Sequence, residues 1–152
     1  MRVLGGRLVR VVSHPLVCGS LNLLGLWLLY STALLALSQH TPWLHLVVHG
    51  HVLLFGYLFT AAVVGVDPDP HRGSYVVRSV VLVLFAAGHA ILAKRIYAQP
   101  PVGVPTDQAE RGAMIMYYGG DVVELLVIAL LCSAWYAATA PRVARRTRPH
   151  LV

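Results

Sequence analysis

Charge is scarce in this chain of 152 residues: Asp, Glu, Lys and Arg together make up 12%. Acids are scarcest, six against twelve Lys and Arg, for a formal net charge of +6. So few charges cannot cover the surface of a soluble domain. The basic excess is not a nucleic-acid patch either, because it sits at the ends of apolar runs, where it sets topology and meets anionic headgroups. Nucleic-acid binding is thereby excluded. Cysteine is nearly absent. Cys18 and Cys132 are the two, with no C-x-x-C pair, which excludes a disulfide framework. Both read as small apolar residues in packed helices. No internal repeat is strong enough to indicate a solenoid.

What is present in quantity is hydrophobic sequence: 57% of residues, with a mean hydropathy of +0.68. Several long apolar runs place the chain in the membrane class. The expected fold is all-α, a polytopic bundle of four transmembrane helices.

Residues 1–14 form a basic lead-in with Arg2, Arg7 and Arg10, suited to an interfacial segment. The apolar run that follows is too long for a signal-peptide core and lacks a clear cleavage site, so it reads as a retained span. The transmembrane domain is expected over 15–138, with helices at about 15–37, 42–66, 75–97 and 108–138. Ser13 or His14 caps the first, with Pro15 in its first turn; Thr41 and Pro42 open the second after a short SQHTP loop. Two Asp-Pro pairs in VDPDPHRGS stop the second helix. Arg78 and the pair Lys94-Arg95 are expected to snorkel from the ends of the third. Asp107-x-x-Glu110 reads as a capping box for the fourth, and Pro141 ends it. Residues 139–152 form a basic cytoplasmic tail.

Basic residues orient this bundle. Arg2, Arg7, Arg10, Arg72, Arg78, Arg142, Arg145, Arg146 and Arg148 fall on one side; only Lys94, Arg95 and Arg111 fall on the other. The positive-inside rule then puts both termini in the cytoplasm.

Against this apolar background the polar residues of the spans stand out. WLHLVVHGHVLLFGYLFTAAVVG, residues 43–65, carries three histidines near its start. His45 and His49 lie four apart, about 40° from each other on one helical face, a chelating spacing. His51 points away from His49, toward packing or a partner. His89 falls in the same outer half of the bundle, with Asp121 below it. Met114, Tyr117, Asp121 and Glu124 follow a three-four-three spacing along one stripe of the last helix. Its acids should face the bundle, since charge in lipid is costly. Imidazole with the thioethers of Met114 and Met116 suits copper. Each feature has a plainer counterpart: an intramembrane histidine ordinarily links helices by hydrogen bonding, the acids can simply accept hydrogen bonds, and methionine ordinarily fills space.

Four segments together resemble the CtaG-type family of caa3 cytochrome c oxidase assembly factors. They are HLVVHGHVLLFGYLF at 45–59, GVDPDPHR at 65–72, GHA at 88–90 and DQAERGAMIMYYGGDVVEL at 107–125. The aromatic pair Tyr117-Tyr118 departs mildly from the family pattern. The resemblance covers nearly the whole chain but about the C-terminal half of the family's usual protein. That leaves a natural short version, a partner subunit supplying the N-terminal half, or a truncated reading frame; a homo-oligomer is the other expected partnership.

The resemblance implies a non-enzymatic factor of the bacterial cytoplasmic membrane that serves cytochrome c oxidase subunits and handles copper at the outer face. His45, His49, His51, His89, Asp121 and Glu124 match the family's polar membrane positions. The expected metal ligands are His45, His49 and His89. His51, Asp121, Glu124 and Tyr117 would orient ligands or handle protons, and Met114 and Met116 would be soft ligands. A haem-bearing electron carrier using one histidine from each of the second and third helices is the alternative, as is a structural subunit without metal.

Overall fold

The computed structural model describes residues 14–65 and 73–140. The basic lead-in before His14, the double Asp-Pro turn and the basic tail lie outside the described residues. The described chain is all-helical: α1 (Pro15–Ser31), α2 (Leu34–His40), α3 (Pro42–Val64), α4 (Tyr75–Ala98) and α5 (Thr106–Thr139).

The first expected span is two helices. α1 and α2 meet at a bend of 81°. Thr32 makes the break: its hydroxyl donates to Leu28 O at 2.6 Å and accepts from Leu34 N at 3.2 Å. One side chain thus ends one helix and starts the next, the competition with backbone bonding that hydroxyl residues offer. α1 alone is about 26 Å long at 1.5 Å per residue, a little short of a hydrocarbon core. α3, α4 and α5 are each long and apolar enough to cross a membrane, and the bent pair makes up to a fourth span.

Helix ends follow local chemistry, with some corrections. The His14 ring accepts from Leu16 N and Pro15 opens α1. Thr41 sits at the N-cap of α3, ahead of Pro42, but makes no side-chain cap bond. The expected SQHTP loop shrinks to Thr41, because Ser38, Gln39 and His40 complete α2. Gly65 ends α3 in the left-handed region, φ 80°, a conformation that costs glycine little. The Ser74 hydroxyl caps α4 by accepting from Val77 N. The capping box at 107–110 does not form: α5 starts at Thr106, with Pro105 as its N-cap and no side-chain cap bond.

Arg78 does not snorkel. It is 1% exposed, and its Nη1 donates to Val63 O at 2.9 Å and Val64 O at 3.2 Å. The guanidinium stacks over Tyr75, 4.1 Å from the ring centroid. A cation at the last carbonyls of α3 meets the negative end of that helix, which explains why it turns inward.

α1 packs on α3 and α4, and α5 packs mainly on α4 with a smaller contact to α3. Two apolar layers hold these helices together. One contains Cys18, Phe59, Val63, Val81, Leu82, Val127 and Leu131. The other contains Leu92, Ile96, Ala109 and Ala113, flanked by Leu26, Trp27, Tyr30 and Met116. Between the two layers every long helix places a polar or very small residue.

Candidate functional site

That middle layer is a cleft of about 420 Å³, to which α1, α3, α4 and α5 all contribute. α1 supplies Asn22, α3 supplies Gly56 and Thr60, α4 supplies His89, and α5 supplies Met116, Gly120 and Glu124. His89 Nδ1 lies 3.3 Å from Glu124 Oε1, and both side chains are 14% exposed, so this pair is turned into the bundle. The approach is close enough for attraction but outside hydrogen-bond geometry, and Glu124 Oε1 has no hydrogen-bond donor. Gly120 permits the packing: a Cβ there would collide with the His89 ring. Phe85, one turn earlier on α4, lies parallel to His89 within 6°, with centroids 6.2 Å apart.

The bundle-facing stripe of α5 is shifted from the expected one. Ala113, Met116, Gly120, Glu124 and Val127 face inward. Met114 is 45% exposed and stands away from the cleft. Tyr117 is half-buried, packed edge-on against Tyr118 and approached by Lys94 Nζ at 5.5 Å. Asp121 is half-buried at the margin of the stripe. Glu124 is the carboxylate within 3.3 Å of His89, and Asp121 is close enough to act on both electrostatically.

The histidines of α3 divide by face. His51 is half-buried and its Nε2–H donates to Leu21 O of α1 at 3.1 Å. It fills the space a Cβ on Gly25 would need, which makes it a helix-linking residue. His45 and His49 are exposed, with rings 4.0 Å apart at 31°. His49 Nδ1–H donates to His45 O at 2.9 Å. A carbonyl can only accept, so this bond fixes the tautomer and leaves Nε2 of His49 with its lone pair outward. Neither His45 nor His49 lines the cleft that contains His89. The structure therefore brings together His45 with His49, and His89 with Glu124, as two separate sites. Among the described residues, no three His, Cys, Asp or Glu side chains converge on one metal position.

Asn22 and Arg78 were not singled out as functional by the sequence reading. A lone Asn in an otherwise apolar helix was the available signal, since buried amides seek partners in a membrane. Asn22 is 6% exposed, and its Oδ1 has no donor.

No solved structure matches the chain. Two curated relatives, an uncharacterized protein of Mycobacterium bovis and one of Mycobacterium tuberculosis, are each 32% identical over 88 residues. That stretch is 58% of this chain and 13% of each relative's length. A family description, cytochrome c oxidase caa3 assembly factor, matches residues 1–138. Its match extends across α1 to α5 and takes in His45, His49, His89 and Glu124, so the chain belongs to the caa3 cytochrome c oxidase assembly factor family.

Proposed function

We propose that the chain works in the bacterial cytoplasmic membrane as an oxidase assembly factor that carries copper as cargo at the outer face. The observation that carries the copper reading is the His49 Nδ1–H bond to His45 O. Holding one ring nitrogen on a carbonyl orients the other as a ligand, the arrangement common among metal-binding histidines. His45 is one helical turn away, on the same exposed face. Two imidazoles suit copper, and the lack of a converging third donor among the described residues fits a cargo that must leave again. Further coordination would come from an oxidase subunit or a second copy of the chain. By the distribution of its basic residues, the start of α3 faces outward and both termini face the cytoplasm. His89 and Glu124 belong to the interior of the bundle and take no part in this copper hold. Such a factor binds and hands over without catalysing a reaction.

The test replaces the chain in its host with His45→Ala/His49→Ala and measures copper and haem in the purified oxidase. Oxidase copper should fall while haem and the amount of variant protein stay level. The purified variant should also lose copper that the wild type retains in detergent. Unchanged oxidase copper at normal variant levels would remove the copper role and leave a scaffold.

A further inference from the structure

The cleft holds two acceptors that the histidine pair on α3 does not explain. Asn22 Oδ1 on α1 and Glu124 Oε1 on α5 are both buried and without a hydrogen-bond donor. Both residues line the same space, although the α1 and α5 backbones do not come close to each other among the described residues. Unpartnered acceptors are costly wherever water is excluded, and most of all at membrane depth. Glu124 Oε1 has only the approach of His89 Nδ1 at 3.3 Å, which is not a hydrogen bond, and Asn22 Oδ1 has no donor, so both acceptors are open to a donor from outside the chain.

We propose that this cleft binds a lipid-soluble dihydroxy-aromatic molecule of the hydroquinone class, its two hydroxyls donating to Asn22 Oδ1 and Glu124 Oε1. Three features select that class. The α5 residues Ile115 and Val123 on the cleft's margin are 74% and 57% exposed, so the approach is through lipid and favours a neutral ligand over an ammonium. Phe85, half-buried on the cleft wall and backed by Phe59 with centroids 4.4 Å apart, offers ring surface to an aromatic head. The volume of about 420 Å³ is that of a small-molecule site and exceeds what a single water fills. The ligand satisfies both acceptors at once, which a molecule with one hydroxyl does not.

The test uses the detergent-purified full chain under anaerobic conditions without added metal. The probes are tetramethylhydroquinone and its dimethyl ether, which keeps the ring but has no O–H donor. The hydroquinone should raise the thermal midpoint saturably, and the ether should bind at least about tenfold more weakly. Asn22→Leu and Glu124→Leu, checked for helix content by circular dichroism, should each weaken hydroquinone binding by a similar factor. Gly56→Leu is the independent variant. A Cβ at Gly56 meets only Asn22 Nδ2, at 3.7 Å, so the helix accepts it while the longer side chain fills the cleft and abolishes binding. Equal binding of the ether, no saturable response, or wild-type binding in Gly56→Leu would each overturn the proposal. If the leucine variants at Asn22 and Glu124 fail to fold, Gly56→Leu and the ether decide. None of these outcomes bears on copper, because the assay contains no metal and leaves His45 and His49 intact.

Discussion

Arg78 Nη1 reaches Val63 O at 2.9 Å, so a fully buried cation on α4 closes the end of α3. No carboxylate neutralises it among the described residues; its partners are two carbonyls and the face of Tyr75. The two helices it joins are separated in sequence by the segment with the two Asp-Pro pairs. Arg78 therefore fixes how α3 and α4 meet at this end of the bundle.

Arg78→Met should lower stability in detergent by about 1–3 kcal/mol, since it strands carbonyls that receive charged hydrogen bonds. Arg78→Lys should recover part of the loss. Denaturant titration followed by circular dichroism measures both. A methionine variant as stable as the wild type would mean that the bonds only offset the cost of burying the charge.

Gly25 and Gly50 should respond oppositely to alanine. At Gly25 the His51 ring occupies the Cβ position, and that ring is held by Leu21 O. Gly25→Ala should break this bond and cost about 1–3 kcal/mol by overpacking. At Gly50 nothing lies within 4 Å of a Cβ, so Gly50→Ala should stabilise by about 0.5–1 kcal/mol through helix propensity. Thermal unfolding of the two variants side by side gives the comparison. In a membrane, close packing drives helix association more than water exclusion does, which is why the crowded glycine matters more than the open one.

The helical membrane class was legible because apolar runs and proline breaks are local signals. The break at Thr32 was not, because Ser31, Thr32 and Ala33 are all tolerated inside a membrane helix, and only the Thr32 bonds to Leu28 and Leu34 turn the chain. His45 and His49 were legible as a pair, since a spacing of four fixes a shared face. Their separation from His89 was not: depth along three helices can be read from sequence, but rotation about each axis depends on packing. The same limit displaced the stripe on α5, where Gly120 and the large residues around it decide that Met116 turns inward and Met114 does not. Arg78 misled for a related reason. Its place near a helix end suggested snorkelling, whereas the carbonyls it caps belong to another helix.

The His89–Glu124 pair makes the sharpest test of the middle layer. The two groups sit 3.3 Å apart, each 14% exposed, with an orientation short of a hydrogen bond. If the pair links α4 to α5, removing either partner strands the other inside the bundle, and removing both costs less than the sum. A double-mutant cycle with His89→Leu and Glu124→Leu should then show a coupling of about 0.5–3 kcal/mol, the range for groups in contact. Gly120→Ala acts on the same pair without touching either member, because its Cβ would push the His89 ring aside. In that background the coupling should shrink toward zero. Chemical denaturation in micelles measures all the corners. A coupling near zero in the wild-type background would mean that the two groups are neighbours by packing alone, and α4 and α5 would then rest on the apolar layers on either side.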